Sequence, residues 1–227
     1  MNSVGGPRFG ERVGRLLRHE GRWLAGLVWW VARRRVGVPE GARALPYAGA
    51  QAALMYGLTF VCVVETVGVS LLLRDQPGLH AVALVADVYT VLMVLGSQAA
   101  AVTRPHVLGA EELLVRSGAR MEVRIPLASI ASVRYDLRSR QDARSGADGG
   151  QGDGGPLELA IAGQTSVTVE LAEPVVVVWL LGRRETVRTV RFHADDARGA
   201  VGTVRGAVDA VRAARSAAER GEPVTPG

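Results

Sequence analysis

Two carboxyl side chains occupy the costliest positions in the chain. Glu65 and Asp87 each sit inside a long apolar run, and the runs are separated by the polar break Arg74, Asp75, Gln76, Pro77 and Gly78. Glu65 lies nine residues before Arg74 and Asp87 nine residues after Gly78. In an antiparallel helix pair both therefore fall about 13 Å from the turn. An ionised carboxylate at the centre of a bilayer costs about 2.5–3.5 kcal/mol on the insertion scale, and neither run offers an Arg or His at that depth. Facing each other, the two groups are expected to share a proton. Gly57, Val61, Glu65 and Gly68 on one stripe, with Ala83, Asp87, Thr90 and Ser97 on the other, allow such a contact. The chemistry open to the pair is hydrogen-bonded glue, within the hairpin or between copies, or a proton or ion pathway built by an oligomer.

Cationic side chains form a second set. Arg12, Arg15, Arg18 and Arg22 recur at helical spacing in the amino-terminal arm, followed by Trp23, Trp29, Trp30 and the triplet Arg33, Arg34 and Arg35. Projected at 100° per residue, Val13, Leu16, Leu17, Trp23, Leu24, Leu27, Val28 and Val31 share one face and the first four arginines the other. This pattern predicts a helix lying in the membrane interface, with Trp at headgroup level and Arg toward anionic lipid. Farther along, Arg116, Arg120 and Arg124 flank a predicted hairpin and are candidate contacts for an anion or a lipid headgroup, although Glu122 stands among them.

Other constellations fail on spacing. Gly150, Gly152 and Gly155 match G-x-G-x-x-G, but Pro156 and a strand-like segment follow where a dinucleotide site needs a helix. Cys62 is the only cysteine and lies in the first apolar run, which excludes an internal disulfide and a multi-thiolate metal site. His193, Asp195 and Asp196 are better explained by helix capping than by a metal, and His19, His80 and His106 are scattered. No cofactor, metal or catalytic constellation is expected.

These side chains need elements to position them. Residues 48–73 and 79–102 each carry one charge inside the run and are long enough to cross a hydrocarbon core of about 30 Å, so they are read as a transmembrane hairpin. All 27 cations are arginine, as GC-rich coding produces; residues 1–44 carry a net +6, residues 45–102 carry −2 and residues 103–227 carry +1. Basic pI thus comes from the arm, which removes the charge argument for nucleic acid. The arginine bias places both termini in the cytoplasm and the 74–78 turn outside, without a cleavable signal peptide, in the plasma (inner) membrane.

After the hairpin the pattern changes to period two. Leu113 and Val115; Met121, Val123 and Ile125; Val133, Tyr135 and Leu137; Leu157, Leu159 and Ile161; and Val167, Val169 and Leu171 each line one face of a run. With further runs at 175–181 and 186–192 and a short one at 106–108, seven or eight strands are expected in an antiparallel meander. Residues 139–155 read as a Gly-rich loop. A final helix follows, capped by Asp195 or Asp196, with Val201, Val204, Val208 and Val211 opposite Arg198, Arg205 and Arg212. Residues 221–227 read as a frayed tail.

The segments HVLGAEELLVRSG at 106–118, VRIPLASIASVRYD at 123–136 and VRTVRFHADD at 187–196 resemble bacterial pleckstrin-homology-like domains of small membrane proteins. That resemblance covers residues 103–215 and rests on Ile125, Pro126, Ile130 and Val133 and on a last strand running into an acid-capped helix. It implies an antiparallel β-barrel or sandwich closed by the carboxy-terminal helix, and a binding or assembly module rather than a catalyst. The expected protein is α+β: an interfacial arm (1–44), a hairpin (45–102) and a cytoplasmic domain (103–220). Its expected partners are the membrane, with anionic lipid, and a protein partner or further copies of itself.

Overall fold

The structure, a computed structural model, describes residues 14, 21, 23–118, 121–139, 156–178 and 184–220. Residues 23–31 are helical, and two long helices follow at Gly49–Leu72 and Pro77–Thr103. Their most apolar 18-residue windows have mean hydropathies of 1.8 and 1.9 and are 0% and 6% buried, so both helices are long and apolar enough to cross a membrane. Pro77 opens the second helix at a position where its missing N–H costs nothing.

Among the described residues there are eight strands: β1 (Arg43–Leu45), β2 (His106–Leu108), β3 (Glu112–Ser117), β4 (Met121–Pro126), β5 (Ile130–Ser139), β6 (Leu157–Leu159), β7 (Gln164–Val178) and β8 (Arg184–Phe192). They form two four-stranded sheets, ordered β1-β2-β3-β4 and β5-β7-β8-β6, and no closed barrel. The inward side chains of the two sheets meet in one core. Leu113, Val115, Val123 and Ile125 come from the first sheet, and Val167, Val169, Val187, Val190 and Phe192 from the second. The carboxy-terminal helix, Ala197–Glu219, adds Val201, Val204 and Val208. Period-two alternation thus marks the core correctly, except that Tyr135 and Leu137 are exposed.

Three features depart from the expected meander. β1 lies ahead of the hairpin and pairs antiparallel with β2 behind it, so Arg43 faces Leu108 and Leu45 faces His106. The runs read as separate strands at 167–171 and 175–181 join, as far as the described residues reach (Val178), in one strand, β7; an irregularity between Glu170 and Val175 absorbs Pro174 without ending the ladder. Finally, β6 pairs parallel to β8. A turn after β6, with Ala162 and Gly163 at φ of 51° and 76°, carries the chain past the end of β8 to β7.

The carboxy-terminal helix is capped by Asp196, whose carboxylate accepts the Gly199 N–H at 2.9 Å. Its arginines are not a purely solvated stripe. Arg205 donates to the Val133 carbonyl, and Arg212 to those of Ile130 and Ala131, which covers the first half of the terminal strand β5. The expected loop at 139–155 beyond Ser139 and the tail at 221–227 lie outside the described residues.

Candidate functional site

The hairpin seam is built from Met55, Thr59, Cys62, Thr66 and Val69 on the first long helix, all partly covered. On the second helix, Ala83, Asp87, Thr90 and Val94 make the matching row. Asp87 is therefore at the seam, but Glu65 stands exposed on the flank with Gly57 and Gly68, whose surroundings are open. Glu65 is thus exposed and Asp87 partly covered, and among the described residues neither makes a hydrogen bond or ion pair. Thr59, Thr66 and Thr90 turn their hydroxyls back to carbonyls four residues earlier, which satisfies them within their own helices.

The polar atoms of the molecule converge instead where the helices meet the sheet. Gln98, buried, accepts from the Gln51 side chain at 3.0 Å and reaches the Ala48 carbonyl, tying the roots of both long helices. The Asp195 carboxylate accepts the Gly49 N–H at 3.1 and 3.2 Å, at the first turn of the first long helix. Its own N–H donates to the Pro46 carbonyl. Asp195 thus caps a helix almost 150 positions away while Asp196 caps the next one; spacing alone could not separate these roles.

Beside this strap lies an aromatic stack. His106 is fully buried, stacked on Tyr47 at 4.4 Å and edge-on to Phe192 at 4.9 Å. Its Nδ1 accepts the Arg116 N–H, so Nε2 carries the proton and donates to the His193 carbonyl at 2.9 Å. Burial pushes its pKa down to about 4, because an imidazolium would lose its water and keep only the His193 carbonyl in exchange, with the Arg116 charge close by. Burial also pushes the Tyr47 hydroxyl up to about 12, and that oxygen accepts the Gly118 N–H at 2.7 Å. His193 is shifted down as well, by burial, against the opposing pull of Asp195.

Arg116, read from sequence as an anion or headgroup contact, points inward. Its guanidinium donates to Glu122 at 3.3 Å and to the carbonyls of Val36 and Pro105, and the residue is 6% exposed. Glu122 also pairs with Arg104 and Arg124, so it binds three arginines at once. Arg124 is exposed but paired with Glu112 and Glu122, and Arg120 lies outside the described residues.

The amino-terminal helix is also placed differently from expectation. Arg12, Arg15, Arg18 and Arg22 fall outside the described residues. Trp23, expected at lipid headgroup level, is buried against the second long helix, over Gly96 and Ala100 and edge-on to Tyr89. Trp23, Gly26, Leu27 and Trp30 form the covered stripe, whereas Leu24, Val28 and Val31 remain exposed. The single apolar face of the projection is therefore two faces, because Gly96 leaves a recess that admits an indole ring. Past its end, Val36 donates to the Thr103 carbonyl and fastens the connection.

A cleft of about 630 Å³ opens among these parts. Trp30, Tyr56 and Val102 contribute its apolar walls, Arg33, Arg34 and Arg35 line it, and Asp195 supplies its carboxylate. No protein-family model, curated protein or solved structure matches the chain. What the junction does follows from its own geometry: it locks helices, sheet and carboxy-terminal helix into one body, and it leaves three exposed guanidinium groups beside an apolar opening.

Proposed function

We propose that the chain is a non-enzymatic integral membrane protein whose two long helices span the cell membrane. In this reading both termini and the β-domain lie in the cytoplasm, and the domain, pleckstrin-homology-like in its two sheets and final helix, binds a protein partner and supports membrane-associated assembly. The observation that carries it is the origin of the hairpin. The helices spring from β1 and β2, neighbouring antiparallel strands of one sheet, and Asp195 and Gln98 lock their roots. A module held this way presents its surfaces at a fixed height and orientation relative to the bilayer. The arginine excess before the first helix, against Arg74 and Asp75 in the turn, favours the cytoplasmic placement.

β5 supplies the contact surface. It is a terminal strand of its sheet, Arg205 and Arg212 cover only its beginning, and Tyr135 and Leu137 stand exposed beyond them. An extended segment of a partner can add to such an edge, with its side chains on Tyr135 and Leu137. Crosslinking in native membranes tests this. Wild-type protein is expected to capture partner polypeptides that the variant Tyr135→Ser/Leu137→Ser loses while still extracting with the membrane fraction; the same captures from both proteins would overturn the reading.

A further inference from the structure

We infer that the junction cleft binds one anionic phospholipid, with its phosphate on Arg33, Arg34 and Arg35 and an acyl chain leaving past Tyr56 and Val102. This rests on the membrane reading above. Three observations carry it.

Charge is the first. The neighbouring arginines are already engaged: Arg104 and Arg116 pair with Glu122. The triplet is exposed and, among the described residues, makes no ion pair. Among the described residues Asp195 is the only acid lining the cleft, and both its oxygens are turned to the Gly49 N–H.

Shape and level come second. The walls pair residues from the start of the first long helix, Ala52 and Tyr56, with residues from the end of the second, Val102 and Thr103. In a spanning hairpin this is the height of the cytoplasmic headgroups, so an apolar slot with cations on its rim matches an amphiphile better than a free anion.

The third is backbone strain. The amino-terminal helix ends with Arg33 N–H donating to Trp30 and Arg34 N–H donating to Trp29, the two bonds of a Schellman turn. Arg33 occupies its left-handed position at φ 53°, where glycine is the usual residue. A guanidinium is kept there against the local preference of the chain, and it lines the cleft.

The test uses full-length protein reconstituted into phosphatidylcholine vesicles containing phosphatidylglycerol, with flotation as the insertion check and native mass spectrometry of the re-extracted protein as the binding readout. One phosphatidylglycerol per chain is expected to remain bound. Arg33→Gln/Arg34→Gln/Arg35→Gln is expected to weaken retention about a hundredfold, at about 1 kcal/mol per cation. An equal-charge control, Arg184→Gln/Arg188→Gln/Arg215→Gln, should leave it unchanged. Arg33→Gly should raise the thermal midpoint while weakening retention about fivefold, a pair of changes that a merely structural arginine would not give. Equal loss in the control, or displacement of the lipid by millimolar inorganic phosphate, would overturn the site; failure to float would overturn the membrane reading beneath it.

Discussion

Acidification from pH 6.5 to 4 is expected to remove about 3 kcal/mol of stability through His106 alone. The imidazole titrates near its ordinary 6.5 in the unfolded chain but only near 4 when buried between Tyr47 and Phe192. Between these values the unfolded state binds a proton that the folded state refuses, so stability rises with pH. The contribution is complete above 6.5, falls as pH drops through the window, and is exhausted near 4. His193, also shifted down, adds to the same slope. The check is denaturant unfolding of detergent-solubilised protein at several pH values, comparing wild type with His106→Asn. Asparagine removes the titration and the ring stacking together, so the variant should be less stable at pH 7 yet show a flatter pH dependence. Parallel curves would show that the stack does not set the acid limit.

The second large effect concerns the amino-terminal helix. A Cβ at Gly96 would run into a ring carbon of Trp23, far inside contact distance, and the ring is buried with little room to move. Gly96→Leu is therefore expected to expel Trp23 and undock residues 23–31, at a cost of about 3 kcal/mol or more for overpacking together with the lost indole burial. The readout is a crosslink between two introduced thiols. In a Cys62→Ala background, Gly26→Cys/Ala100→Cys brings its Cβ atoms just inside the separation a disulfide needs, since a Cβ at Gly26 lies 3.3 Å from that of Ala100 and 3.1 Å from its backbone, so closing the bond takes a shift of a few tenths of an ångström. Oxidation should close the bond in this protein and fail to close it when Gly96→Leu is added. Undiminished crosslinking would mean that the helix is held by other contacts.

How much of this was legible beforehand varied with the range of the interaction. The two long helices follow from uninterrupted apolar runs, and their observed limits lie within two residues of the predicted ones. The final helix follows from a valine stripe behind a pair of acids, but which of the two, Asp195 or Asp196, caps it does not. β1 was not legible, because three residues between an arginine-rich arm and an apolar run carry no period and their partner strand lies beyond both helices. Nor could an amphipathic projection distinguish a face that meets lipid from one that meets protein; Trp23 required knowledge of the recess at Gly96. Depth arithmetic sets Glu65 and Asp87 at one level but cannot fix helix rotation, and in the structure only Asp87 is partly covered. Gln51 lies 23 residues before Arg74 and Gln98 20 after Gly78, so the same arithmetic does not set them level, yet these two side chains bond. Tyr47 and His106 gave no signal of their own, since their roles arise only when β1 and β2 are paired.

Membrane crossing with the domain on the cytoplasmic face is the central claim, and site-directed thiol labelling tests it most directly. In the Cys62→Ala background, single cysteines replace Gly78 in the exposed first turn of the second long helix or the half-buried Ser129 in the short link before β5. A membrane-impermeant maleimide applied to intact cells is expected to label the cysteine at 78 at once, and the one at 129 only after permeabilisation. Immediate labelling at both positions, or at 129 alone, would contradict the account.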